Sequence, residues 1–365
     1  MAKMLMDRRG FFASALASGA MAGAMAQTDD SRIFVAPHEG ELHRRTWMCW
    51  PSTHAIYESS LAYFEDVQET LGRLASAIAA FEPVSMLADK SHHARARRLC
   101  GPDVELVDIA TDDMWSRDSG PVFVRNGQGE KAVVDFNFNG WGGKQTHDQD
   151  HAVAKAVADR LGLTVFNSGL VGEGGGIEYD GDGTLILTES CWVNDNRNPG
   201  LTRDEIERDL KELLGVQTVI WLPGVRDRDI TDGHIDGSLR VVRPGLLMMA
   251  RNPGDTSSVW AQARAEAKAI LNATRDAHGR TFDIVEIDSA TKPRSDDPEL
   301  FTSYANYYVG NGAVFTPEFG DDTADRKAFE ALGQLYPDRQ VISLNVDRIY
   351  ETGGGIHCVT QQEPV

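Results

Sequence analysis

Near the end of the chain, Glu351-Thr352-Gly353-Gly354-Gly355-Ile356-His357-Cys358 sets three glycines beside a cysteine. Glycine tolerates positive φ and lets the backbone approach a ligand closely, which marks Gly355 as a candidate substrate-binding position. Cysteine attacks only as its thiolate, with a free pKa near ~8.5, so Cys358 needs a cationic or hydrogen-bonding neighbourhood to act as a nucleophile. A cysteine in an apolar run can equally be a small buried hydrophobe. Thr231-Asp232-Gly233-His234-Ile235-Asp236-Gly237 supplies a partner. On an extended backbone His234 and Asp236 project to one face, which puts a general acid or base beside a carboxylate that grips the substrate. His-x-Asp also occurs in metal sites, but no third ligand stands at a recognisable spacing, so no metal is expected.

Asp112-Asp113-Met114-Trp115-Ser116-Arg117-Asp118 places an aromatic three residues before an aspartate. A planar guanidinium takes two parallel hydrogen bonds from a carboxylate and stacks on an aromatic face, so Trp115 and Asp118 suit such a cation. The alternative is a solvated charge cluster around a structural tryptophan. Glu173-Gly174-Gly175-Gly176-Ile177 echoes the glycines before Cys358, and Glu173 could hold a histidine in one tautomer. Asp180-Gly181-Asp182-Gly183 reads as a hairpin turn, because the acidic spacing of a calcium loop is absent. His147 and His151 read as surface residues near a helix start.

These residues need elements to position them. From Glu58, apolar residues fall at Leu61, Phe64, Val67, Leu71, Leu74, Ile78 and Phe81, which traces one helical face. Further helices are expected over roughly 148–162, 202–214, 256–278 and 323–336. The third has a capping box at Thr202-Arg203-Asp204-Glu205 and a stop at Gly215. Each helix leads into a β-prone run: Val84–Leu87, Leu163–Phe166, Val216–Leu222, Phe282–Ile287 and Val341–Leu344. A polar or Gly-rich loop follows, then usually a second apolar run such as Pro121–Arg125, Thr184–Thr188 or Ser238–Val242. A helix–strand–loop–strand unit repeated five times predicts an array or closed ring of modules; an α/β sandwich with insertions is the alternative. Asp118, Glu173, His234 with Asp236, Asn306 and Cys358 all lie in loops of successive units. In a ring those loops converge on the axis.

No linker-like stretch divides the body, so residues 27–365 are read as one domain. Residues 1–26 differ: Asp7-Arg8-Arg9-Gly10-Phe11-Phe12, a soft apolar stretch from Ala13 to Ala24 and Ala24-Met25-Ala26 form a twin-arginine signal peptide, which predicts export to the periplasm or beyond. The formal charge is −19, and removing Lys3, Arg8, Arg9 and Asp7 with that segment makes it −21. Such acidity argues against nucleic acid and anionic membrane as partners and suits a small cationic substrate, although charge for solubility alone accounts for it equally well. Cys49, Cys100, Cys191 and Cys358 lie far apart without CxxC spacing, and their pairing is not legible in the sequence.

Taken together, WxRDxGP at 115–121, FNxNGWGG at 136–143, EGGGIExDGxGTLxLTE at 173–189, NRNPG at 196–200, TDGHID at 231–236, SYxNYY at 303–308 and GGGIHCVTQQ at 353–362 resemble the agmatine deiminases of the agmatine/peptidylarginine deiminase group. The match runs in order from about Pro37 to Pro364. The resemblance implies the pentein fold, a five-bladed α/β propeller with pseudo-fivefold modules. It also implies hydrolysis of agmatine to N-carbamoylputrescine and ammonia, within putrescine and polyamine metabolism and without a cofactor. By the same resemblance Asp118 and Asp236 clamp the guanidinium, Glu173 orients His234, Cys358 forms a covalent thiouronium, and Trp115, Asn306 and Gly355 belong to the substrate site. A secreted peptidylarginine deiminase and a non-catalytic exported guanidine- or polyamine-binding protein are the competing readings. The segment after Asp135 contains no arginine to meet a substrate carboxylate, which favours agmatine, with Asp113 as the candidate holder of its primary ammonium. Lys144 would weaken that preference if it turned inward.

Overall fold

The computed structural model describes residues 33–57 and 60–365. The expected signal peptide, residues 1–26, lies outside them. No helix among the described residues is long and apolar enough to cross a membrane.

Helix α1 (Leu61–Ala79) starts where the Ser60 side chain accepts a hydrogen bond from the Tyr63 N–H. Phe64, Val67, Leu71, Leu74 and Ile78 are buried along one face, as the periodicity predicts. Each such burial contributes roughly 1.5–3 kcal/mol. Leu61 is an exception: as the first helical residue it projects beyond the core and stays exposed. Helix α2 (His93–Cys100) was not anticipated, because its apolar residues are too few for a readable stripe. It is followed by α3 (Val153–Leu161) and by α4 (Arg203–Leu214), which carries the expected reciprocal capping box of Thr202 and Glu205 and a left-handed Gly215. Helices α5 (Val259–Ala273) and α6 (Asp322–Leu335) complete the set needed here. Helix α5 is shorter than the predicted 256–278, because Ser258 caps it late and Thr274 is already extended.

The strands form five sheets among the described residues. Strands β4 (Val122–Arg125), β5 (Lys131–Asp135) and β6 (Thr164–Asn167) make one; β7 (Ile177–Tyr179), β8 (Thr184–Thr188) and β9 (Thr218–Leu222) the next. Two more follow the same plan: β10 (Leu239–Arg243), β11 (Leu246–Arg251) and β12 (Asp283–Asp288), then β13 (Tyr308–Gly310), β14 (Ala313–Pro317) and β15 (Gln340–Leu344). In each, an antiparallel hairpin is followed by a crossover through one of α3 to α6 to a parallel strand. A parallel partner requires such a crossover. The repeat therefore has three strands per module rather than the two expected: the expected runs Pro121–Arg125 and Ser238–Val242 are first strands of their hairpins and Thr184–Thr188 is a second, so one strand of each hairpin went unread. The remaining sheet, ordered β16-β1-β2-β3, joins the two ends of the chain. Here β16 (Gln361–Pro364) pairs antiparallel with β1 (His43–Cys49), which is followed by parallel β2 (Val84–Ala88) and β3 (Val104–Asp108). Strands β2, β8 and β14 are buried at every position, so their sheets are covered on both faces.

Candidate active site

The site residues occupy equivalent places. Asp118 lies four residues before β4, Glu173 four before β7, Asp236 three before β10, Asn306 two before β13 and Cys358 three before β16. Each module thus delivers its polar side chain from the turn feeding its antiparallel outer strand. His234 and Asp236 do not sit on extended backbone as expected; residues 235–237 form a 3-10 turn. Instead of sharing one partner, His234 meets Asp118 and Glu173 while Asp236 meets Cys358 and His357.

The Cys358 sulfur accepts a hydrogen bond from Asn306 Nδ2 at 3.1 Å and donates to Asp236 Oδ2 at 3.4 Å. Asn306 Oδ1 also accepts from the backbone N–H groups of His357 (2.9 Å) and Cys358 (3.3 Å), so one amide fixes both loop and sulfur. Burial, then the charges of Asp236 and Asp118, push the thiol well above its ordinary range. A cation between those carboxylates would favour the thiolate. Inactivation of the free protein by iodoacetamide at Cys358 should therefore still accelerate above about pH 9. Rate measurements across pH decide this, and a plateau below about pH 8 would contradict the geometry.

His234 Nε2 lies 3.2 Å from Glu173 Oε2, and Nδ1 lies 3.7 Å from Asp118 Oδ1. Nδ1 has no hydrogen-bond partner among the described residues. Burial opposes the charge on this ring, but Asp118, Cys191 and Glu173 together raise its pKa well above the usual imidazole range. Asp118 is pushed up to about 6 by burial, against the opposing pull of His234 and with help from Asp236 and Glu173. Its carboxylate accepts from Trp141 Nε1 at 2.9 Å and from the Gly175 N–H at 3.0 Å. Gly175 is glycine for a reason: a Cβ there would fall 2.6 Å from His234 Nδ1, 2.7 Å from Asp118 Oδ1 and 3.2 Å from Asp236 Oδ2. The absent methyl opens a cradle between a histidine and two carboxylates.

Trp115 is buried, and a Cβ on Gly354 would come within 2.3 Å of its ring, so the glycine loop lies on the indole. Gly355 packs where a side chain would strike Asn306 and Tyr350. Asp113 is buried, with Oδ1 accepting from Tyr57 and the Met114 N–H and Oδ2 from Gln145 at 2.8 Å. Lys144 donates to Asp232 Oδ2 at 2.8 Å and to the Ile230 carbonyl at 3.0 Å.

Three residues were not assigned roles from sequence. Arg197 Nε binds both Glu173 oxygens, at 2.8 and 3.0 Å, while its other nitrogens bind Asp232 (2.8 Å) and the Thr231 carbonyl (2.9 Å). It ties the TDGHID loop to Glu173. Trp141 is held at φ 55 so that its indole reaches Asp118, a left-handed conformation that costs roughly 1–2 kcal/mol. Both stood in the motifs NRNPG and FNxNGWGG, but their partners are distant in sequence. Cys191 joins Glu173 and His234 in a group with ligand atoms within 4.8 Å of one another. The Arg197 guanidinium already sits on both Glu173 oxygens, which disfavours a second cation there. All four cysteines are free and buried.

A thiol, an imidazole and opposed carboxylates gathered by the turns before five antiparallel strands define a thiol-dependent enzyme site rather than a metal centre. The chain belongs to the Porphyromonas-type peptidyl-arginine deiminase family, whose model matches residues 35–364. It is similar to the agmatine deiminase of Ectopseudomonas mendocina, 37% identical with 91% of this chain and 95% of the relative covered. It is also similar to that of Medicago truncatula, 34% identical with 91% and 96% covered. A solved structure of the agmatine deiminase of Enterococcus faecalis superposes with a TM-score of 0.83 at 29% identity, covering 95% of this chain and 99% of that one. The α/β pentein fold expected from the sequence is thus the fold of the chain.

Proposed function

We propose that this protein hydrolyses agmatine to N-carbamoylputrescine and ammonia, one step from putrescine. The observation that carries the reading is the cradle at Gly175, where His234 Nδ1, Asp118 and Asp236 face one small space and Asp236 also contacts the Cys358 sulfur. The guanidinium enters between Asp118 and Asp236, and the thiol proton passes to solvent as that cation arrives. The sulfur bonds to the central guanidino carbon. One C–N bond then breaks, and ammonia departs with a proton from His234. The resulting thiouronium is attacked by water, which gives a proton to His234. The C–S bond breaks, returning the thiolate, and the new hydroxyl gives its proton to solvent as the neutral ureido product leaves. Resonance makes the guanidinium a poor electrophile, so a strong nucleophile and fixed counter-charges are both needed. No step calls for a cofactor.

Agmatine is favoured over arginine because no arginine stands in residues 136–143 and the Lys144 charge is taken by Asp232. The names of the relatives point the same way. Asp113 remains the candidate for the distant ammonium, two residues before Trp115 in the same loop. Comparing kcat/KM for agmatine, arginine and arginyl peptides tests the reading. Agmatine should win by at least about tenfold, a difference of ~1.4 kcal/mol. A preference for arginyl peptides would establish the peptidylarginine reading, and no ammonia from any of them would leave a binding protein.

The reading includes a single domain over residues 27–365 and export by the twin-arginine route. Replacing Arg8 and Arg9 together by lysine should hold the precursor in the cytoplasm, while the native chain is recovered outside it, starting near Gln27. Fractionation with N-terminal sequencing checks this. Native protein found only in the cytoplasm with an intact N-terminus would refute export.

A further inference from the structure

His357 stands beside the nucleophile in sequence, and both of its ring nitrogens face carboxylates. Nδ1 lies 2.7 Å from Asp236 Oδ2, and Nε2 lies 2.7 Å from Glu39 Oε2. The residue is 2% exposed, so water does not compete for either contact. An ionised carboxylate only accepts hydrogen bonds, so a nitrogen this close to one must carry a proton. With both carboxylates ionised, two such contacts require both ring protons.

Charge balance leads to the same result. Packed around His357 are Asp236 from the turn before β10, Glu39 from the segment before β1, and Arg117, whose Nε donates to the His357 carbonyl at 3.4 Å. Arg117 also pairs with Glu39 at 3.3 Å. Arg240 of β10 binds Glu39 at 2.9 Å and Glu178 at 2.5 Å. Among the described residues, the buried carboxylates Asp236, Glu39 and Glu178 therefore meet two guanidiniums, Arg117 and Arg240. One more positive charge neutralises the cluster, and a buried cluster left with a net charge is costly. Burial would raise the pKa of Glu39, yet Arg240 and then His357 hold it well below the usual range. Asp236 is likewise held low against burial, first by its hydrogen bond from His357.

We propose that His357 is a positioning residue, kept as an imidazolium between Glu39 and Asp236, which fixes the Asp236 carboxylate against both the sulfur and the substrate cation. The role rests on the deiminase reading, but the charge state does not. Glu39 is its anchor: without that carboxylate the ring is free to lose a proton and with it the second hydrogen bond.

Nitrogen-15 spectra of the purified histidine-labelled chain, without substrate, test the charge. The signal that disappears in His357→Gln should belong to a doubly protonated ring throughout about pH 6–9, and a neutral tautomer there would overturn the proposal. If that variant does not fold, Glu39→Gln identifies the same signal by turning it titratable in this range, and a signal that does not respond overturns the proposal too. Kinetics test the role. Glu39→Gln keeps an acceptor for Nε2 but removes the charge, which lowers the ring's proton affinity. Its kcat should stay close to wild type near pH 6 and fall at least about tenfold below wild type by pH 9, with Glu39→Asp restoring the wild-type profile. A kcat loss equal at every pH would mean a merely structural contact and would overturn the positioning role. Failure of the deiminase reading would appear as lost turnover in the wild-type chain and leave the spectra unchanged.

Discussion

Cys358→Ala should abolish ammonia release, by at least about 10⁴-fold or ~5.5 kcal/mol, while the fold persists. The sulfur is the atom that bonds to carbon, and nothing within its contacts can replace it: Asn306 Nδ2 donates and Asp236 needs its charge for the substrate. Cys358→Ser should be almost as inactive. Its hydroxyl can keep both hydrogen bonds, so it separates lost chemistry from lost packing. Thermal unfolding of either variant should stay within a few degrees of wild type, because removing one small buried atom costs ~1 kcal/mol. Ammonia assays beside melting curves decide the matter. Appreciable turnover by either variant, free of contaminating wild type, would reject the covalent route.

Asp118→Asn and Asp236→Asn should each lower kcat/KM by about 10²–10⁴-fold, which is ~2.7–5.5 kcal/mol of transition-state stabilisation. The two fail differently. Asp118 receives donors on both oxygens, Trp141 on Oδ2 and the Gly175 N–H on Oδ1. An asparagine must turn its NH₂ toward one of them, which misplaces the side chain as well as discharging it. Asp118 is also the leading charge that raises His234. Without it the imidazolium loses its proton at lower pH, so the alkaline limb of any residual kcat profile should move down. Asp236→Asn leaves His234 with Asp118 and should move that limb much less. If both variants stay within about tenfold of wild type, the clamp is misassigned.

The sequence by itself determined whatever depends on neighbours along the chain. The face of α1 from Phe64 to Ile78 follows from side chains three and four apart. The Thr202–Glu205 box follows from a cap whose partner is three residues on. The spacing of the module loops, and so Asp118, Glu173, Asn306 and Cys358 as one set, was legible because the same plan recurs. Tertiary structure alone decided which partners those residues have. Arg197 reaches Glu173 across 24 positions and Asp232 across 35, and His357 reaches Glu39 across 318. No periodicity encodes such pairs: they exist only because the sheets bring the module turns together, where low dielectric makes an unpaired charge too costly to leave. The backbone of His234 and Asp236 was misread for a related reason. An alternation argument assumes a strand, whereas residues 235–237 turn before β10 begins, which sends the two side chains to different sides of one site.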